Sequence, residues 1–317
     1  MAATRQAVNG GRRSRTRMSK LARREMKWGL IFLSPWFAGF LAFTVLPIIA
    51  SLVFSVTDFN LVKPEETTFI GLRNYARLFG DRQVLESLLV TVRFALISVP
   101  LGMLLPLGLA LLVNSPNLMA RNLFRTFFYM PIMIPVVAGV MIFQGVLNSQ
   151  SGWVNRFLGL LGIMGPEWFQ SKTWVLPALT LMGFWGVGNT MMYLLAGLQN
   201  VPTELHEAAK VDGAGPFRRL LTITLPMISP VIFYNLTLSL IGTFQYFTQA
   251  YVISHGRGDP DGATLFYNLY LFKTAFTFSD MGYGATLAWL LFVIVLALTI
   301  FLFRTSGRWV YYAGEEG

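Results

Sequence analysis

The 317-residue chain has no cysteine and only two histidines, His206 and His255. That excludes disulfide staples, thiolate metal sites and thiol redox chemistry, and leaves too few imidazoles for a histidine-based metal cluster. Charge is also scarce, at 13% of residues against roughly 25% in a soluble domain. No Gly-x-x-x-x-Gly-Lys-Ser/Thr run occurs, so no phosphate cradle is expected within this polypeptide. The apolar stretches after residue 122 carry no Lys, Arg, Asp or Glu in their central portions. A proton or sodium relay needs ionisable groups at that depth, and an enzyme needs a nucleophile or an acid–base pair; neither set is present.

What the chain has in abundance is apolar residues, 54% of the total, gathered into long runs. The expected fold is therefore all-α, a polytopic membrane helix bundle of six spans. They fall at about 29–56, 87–113, 123–147, 173–198, 231–250 and 284–303. Residues 1–27 form a basic tail with nine Lys or Arg, 28–308 a transmembrane domain, and 309–317 a second short tail. With six spans the tails lie on one side. That side also holds Arg121, Arg125, Lys210, Arg218, Arg219, Arg304 and Arg308, about twice as many cations as the other side. The positive-inside rule makes it cytoplasmic, so both termini are expected in the cytoplasm. The basic tail borders a span, which explains its charge without nucleic acid. Leu72, Tyr75, Leu78 and Phe79 have the spacing of an amphipathic surface helix, and 264–283 holds an amphipathic aromatic stretch.

Residues 202–230 form a polar island between two apolar runs. Its signals spell two short helices meeting at a corner, with Thr203 as N-cap and Glu204 and Glu207 near the positive end of the first dipole. Asp212-Gly213 stops that helix, and Gly215-Pro216 starts the second with proline at its first position. Ala208, Ala209, Gly213 and Ala214 are small enough for another backbone to approach. A docking surface and an ordinary soluble loop both fit these residues.

Glu207-Ala208-Ala209, Asp212-Gly213-Ala214, Phe217, Ile223, Leu225-Pro226 and Pro230 resemble the EAA loop of binding-protein-dependent ABC importer permeases. Phe69 to Tyr75, Met130-Pro131 with Pro135, Gly152 to Asn155, and Asp259-Pro260 with Thr264 resemble the carbohydrate branch, and Gly152 to Asn155 the maltose F-type subunit. The resemblance implies a type I ABC importer permease fold in a bacterial or archaeal inner membrane. It implies a second permease subunit, an ABC ATPase dimer that binds the ATP, and an extracytoplasmic solute-binding protein. Membrane lipid surrounds the bundle, and no cofactor belongs to this chain. The 200–224 loop would supply the coupling helix, with Glu204, Glu207, Ala208, Ala209, Asp212, Gly213 and Ala214 facing the ATPase.

The late spans also contain amides, hydroxyls and aromatics. Asn235, Ser239, Thr243 and Tyr246 recur on one helical face, and Asn189, Thr190 and Tyr193 cluster one turn after Trp185. Polar groups at membrane depth face protein or water. Each single residue can instead hold helices together, while the stripe as a whole reads as a solute path. The chemistry suits a neutral polyhydroxylated solute, and the resemblance places sugar contacts at Ser239, Thr243 and Tyr246. Apolar Ile132 and Val136 depart from that family pattern. The rival readings are a secondary transporter working without an ATPase and an ABC permease for a non-sugar solute such as a glycerol phosphate.

Overall fold

The computed structural model describes residues 19–311, and among them no β-strand occurs. The chain divides into two units, 1–53 and 54–317. In the first, α1 (Lys20–Phe40) passes through a π-turn at Leu41–Val45 into α2 (Leu46–Ser55), whose last two residues belong to the second unit. Ser19 starts α1 by accepting a hydrogen bond from the Ala22 N–H at 3.1 Å, so the last eight residues of the expected tail are helical. Residues 1–18 and 312–317 lie outside the described residues. The π-turn precedes Pro47, whose ring would clash with the carbonyl four residues back. No residue of α1 is buried within the unit.

The second unit is helical throughout: α3 (Arg73–Leu78), α4 (Arg82–Asn114), α5 (Arg121–Tyr129), α6 (Val136–Val146) and α7 (Trp153–Leu160) come first. Then follow α8 (Val175–Phe184), α9 (Gly188–Gln199), α10 (Thr203–Val211), α11 (Pro216–Arg219) and α12 (Leu225–Phe244). The last are α13 (Thr248–Ser254), α14 (Tyr267–Phe272) and α15 (Met281–Ser306).

Among the described residues four helices are long and apolar enough to cross a membrane, at 20–55, 82–114, 216–254 and 281–306. Two bent pairs raise the number to six if each is one span. The runs expected to be spans three and four are these pairs: α5 and α6 meet at 104°, α8 and α9 at 51°. Pro131 and Pro135 bracket the first elbow, where neither nitrogen can donate to a helical ladder. The second falls at Trp185-Gly186-Val187, and there α9 packs close to the first elbow. A Cβ on Gly188 would stand 2.2 Å from the Phe128 carbonyl oxygen.

Two apolar cores lie toward opposite ends of α4, a rod of about 50 Å at 1.5 Å per residue. One gathers Val90 and Phe94 of α4 around Phe266, Tyr267, Leu269 and Tyr270, with Tyr283 and Leu287 of α15. The first part of the aromatic stretch read as amphipathic, residues 264–270, is thus among the most buried, because its polar groups are satisfied inside. The Tyr267 N–H donates to Thr91 Oγ1 at 2.9 Å and its hydroxyl to the Leu287 carbonyl at 2.9 Å. The other core joins Ala110 and Val113 of α4 to Leu194, Leu195 and Leu198 of α9 and Ile228 of α12. The last described residue returns here, where the Tyr311 N–H donates to Ser229 Oγ at 2.8 Å.

Candidate functional site

Two places carry the sequence-predicted residues. The first is a cavity of about 400 Å³ in the second unit, opening where three helices break. The α5–α6 elbow contributes Pro131 and Ile132, the α8–α9 break contributes Gly183 to Gly186, and the end of α12 contributes Gly242 to Tyr246 through its lining members. Non-helical backbone at membrane depth is tolerated where it is buried in protein or lines a water-filled space.

Of the seven residues expected on the solute path, Trp185, Ser239, Thr243 and Tyr246 line the cavity together. Helix α12 stops at Phe244, so Tyr246 arrives by the break rather than by continued helical periodicity. Asn189, Thr190 and Tyr193 are not part of the lining, because the bend after Trp185 redirects α9. Asn189 is exposed, and Tyr193 meets Tyr234 edge to face at 6.1 Å. Asn235, on the expected stripe, is buried and donates its amide to the Val231 carbonyl at 2.8 Å. It serves its own helix.

The cavity has two kinds of wall. Trp185 stands edge-on to Phe143 at 5.6 Å, and Tyr246 packs against Phe94 at 4.7 Å and Phe266 at 4.9 Å. Ile132 and Val136 extend this apolar side. The polar wall holds Ser239, Thr243 and two residues that sequence reasoning did not place there, Ser98 of α4 and Gln249 of α13. The Thr243 hydroxyl donates to the Ser239 carbonyl at 2.7 Å, while Ser239 Oγ and the Gln249 amide have no hydrogen bond among the described residues. Ser98 Oγ is fully buried without a partner. A lone hydroxyl two residues ahead of Pro100 was the available signal for Ser98. No lining residue is charged. Hydroxyl and amide groups left open beside aromatic faces suit a ligand bearing both hydroxyls and apolar ring faces.

The second place is the corner at 203–219. Helix α10 begins at Thr203 itself, with Pro202 as its cap and no side-chain capping bond, so the expected Thr203 N-cap is displaced by one residue. At its far end Gly213 adopts φ +78°, the Gly213 N–H reaches the Lys210 carbonyl at 3.1 Å, and the Ala214 N–H reaches Ala209 at 2.8 Å. This pair of bonds is a Schellman stop, which favours glycine at that position. The second helix is not a separate short one. From Pro216, α11 runs through a π-turn at Leu220–Thr224 straight into α12. The π-turn again precedes a proline, Pro226.

Glu204, Glu207, Ala208, Asp212 and Gly213 are exposed, and Ala209 and Ala214 half-buried. Glu204, Glu207 and Asp212 form no ion pair or side-chain hydrogen bond among the described residues. A Cβ on Gly213 would meet nothing within 4 Å of it. Val211 and Phe217 stand out beside them at 88% and 71% exposure. Sequence reasoning had not used Val211, and the signal was a β-branched apolar residue next to a helix stop. Unpaired carboxylates thus lie beside exposed apolar side chains at this corner.

Comparison with known proteins agrees with this geometry. The family described as "Binding-protein-dependent transport system inner membrane component" matches residues 98–312. A probable ABC transporter permease protein of Bacillus subtilis, YesP, is 40% identical over 94% of this chain and 96% of its own length. The trehalose/maltose transport system permease protein MalF of Thermococcus litoralis is 34% identical over 89% of this chain and 94% of its own. Among solved structures, a chain of a bacterial alginate ABC transporter in complex with its periplasmic protein superposes with a TM-score of 0.75 at 22% identity. That match covers 90% of this chain and 96% of the other and concerns the fold. The chain belongs to the inner-membrane components of binding-protein-dependent transport systems, as a multi-pass ABC transporter permease and not an enzyme.

Proposed function

We propose that this permease passes a neutral sugar or a related polyhydroxylated solute through the cavity at the three helix breaks. One observation carries the reading: an uncharged chamber whose lining joins Ser98, Ser239 and Gln249 to Trp185 and Tyr246. Relatives named for trehalose and maltose, lactose, and arabinooligosaccharides support the solute class. An anion such as a glycerol phosphate would call for a cation, and the lining supplies none. Solute arrives from an extracytoplasmic binding protein, and a second permease completes the pathway.

The corner at 203–219 receives the work. ATP is bound by a partner ATPase dimer, Glu204, Glu207 and Asp212 meet cations on that partner, and Gly213 with Ala208, Ala209 and Ala214 lets its backbone approach. Val211 and Phe217 fill apolar recesses. Both chain termini and the corner then lie on the cytoplasmic side, as the cation distribution supports.

The test is ATP-driven uptake by the reconstituted complex of both permeases, ATPase and binding protein. Neutral oligosaccharides are offered beside uronate-containing ones and a glycerol phosphate. Neutral sugar uptake that falls about fivefold in Ser239→Ala, with ATP turnover retained, is expected from loss of one neutral hydrogen bond. Preferential uptake of the anionic solutes would overturn the solute class, and uptake without the ATPase would overturn the coupling.

A further inference from the structure

The excursion between α6 and α8 has a feature that neither the cavity nor the corner uses. Helix α7 turns Val154, Asn155 and Leu158 inward, and its other side carries Trp153, Phe157 and Leu160 at 75%, 62% and 84% exposure. The stripe continues past the helix into Leu161 and Met164, at 60% and 96%. A run of large apolar side chains on one helix face is far from the scattered exposure of an ordinary surface.

Its placement is fixed from below. Asn155 donates to the carbonyls of Ser149 at 3.0 Å and Pro166 at 3.1 Å, and accepts from the Trp168 indole at 2.7 Å. One amide thus ties the helix to both strands of its own excursion. Asn148, just past the end of α6, caps the turn by accepting from the Gln150 and Ser151 N–H groups. The helix is therefore tied to the loop that joins α6 to α8. Between residues 148 and 166 the only charged residue is Arg156, on the flank of the apolar stripe. Trp168 and Trp174 sit edge to face at 5.5 Å close by, with Lys172 between them in sequence.

We infer that α7 lies in the membrane interface, with Trp153, Phe157, Leu160 and Met164 among the acyl chains of the outer leaflet and Arg156 at the headgroup phosphates. Three features select lipid over a protein partner. The stripe itself carries no acidic residue. Its single cation complements an anionic headgroup, and tryptophan is enriched where membrane meets water. The interface helix anchors the elbow of α5 and α6 against the bilayer plane.

The absence of cysteine permits a direct test on the full chain, assembled with its partner subunits in nanodiscs of phosphatidylethanolamine and phosphatidylglycerol. Nitroxides are placed singly at Leu160→Cys and Met164→Cys, with Gln150→Cys as a water-exposed control. Collision with dissolved oxygen exceeding collision with a water-soluble nickel chelate at both positions, the reverse holding at the control, is the expected result. Dominant collision with nickel at 160 and 164 would overturn the inference in favour of a solvent-facing helix. Protection from both reagents would overturn it in favour of a protein partner on that face. ATP-driven uptake by the labelled chains confirms that each variant has inserted and folded.

Discussion

Two regions of the second unit treat their polar residues in opposite ways. At the end where α4 begins, Asp81 accepts hydrogen bonds from the hydroxyls of Tyr270 and Tyr283 and from the Gln83 N–H. Arg77 pairs with Asp280 at 2.7 Å and lies 3.9 Å over the Tyr283 ring. Four elements, α3, α4, α14 and α15, are thus knotted by side chains answering one another. At the corner, by contrast, Glu204, Glu207 and Asp212 answer nothing among the described residues. Charge engaged inside a chain holds its fold; charge left open beside bare apolar side chains anticipates another molecule. The contrast separates a rigid end from a receiving end without appeal to any motif.

The comparison breaks if the receiving end proves structural. Gly213→Asp is expected to lower the melting temperature only slightly, by the ~1 kcal/mol strain of a side chain at positive φ, while uptake falls about a hundredfold, the size of an interface hot spot. A large melting shift with proportionate loss of uptake would remove the distinction. The rigid end gives the complementary expectation. Asp81→Ala strips two tyrosine hydroxyls of their acceptor and should cost about 2–3 kcal/mol in stability, with uptake per folded molecule preserved. Thermal unfolding in detergent, beside uptake normalised to folded protein, reads both quantities.

Between the ends, Gly188→Ala pushes a methyl into the Phe128 carbonyl and should cost about 2 kcal/mol, as overpacked sites do. Ser98→Ala should have almost no effect on melting, since that hydroxyl has no partner in the chain, yet lower uptake about fivefold if solute is its partner. The smallest effect is acid sensitivity. Partial burial raises the Asp81 carboxyl, but the Tyr270 and Tyr283 hydroxyls, the Gln83 N–H and the Arg77 charge outweigh it and hold the group below its ordinary value. Its stabilising contribution is therefore complete above the ordinary carboxylate range and is lost as pH falls through the lowered folded value. The stability gap between the native chain and Asp81→Asn should stay constant from pH 7 to pH 5 and narrow only below about pH 4.

Much of the corner was legible in the amino-acid order because local rules govern it. Gly213 must take positive φ to end α10, and Pro216 fits the first turn of α11, whatever surrounds them. The common facing of Ser239 and Thr243 follows from helical periodicity in the same way. What stayed hidden depends on packing. Prolines 131 and 135 announce a disturbance, but a membrane helix can absorb proline as a π-turn, as happens before Pro47 and Pro226, or as a 104° elbow. The choice is made by Gly188 admitting the Phe128 backbone, a contact 60 residues away in sequence. The burial of α14 was equally invisible, because Tyr267 and Tyr270 read as amphipathic until Thr91, Leu287 and Asp81 supply their partners.

The joining of α11 to α12 has a mechanical consequence. Because Pro216 begins the same continuous rod that carries Ser239, about 35 Å separate the point of push from the chamber wall at 1.5 Å per residue. A lever of that length, swung by about 5°, displaces its far end by roughly 3 Å, close to the span of one hydrogen bond. Under the proposed coupling, small angular strokes at the corner match the distance over which a solute hydroxyl is grasped or released.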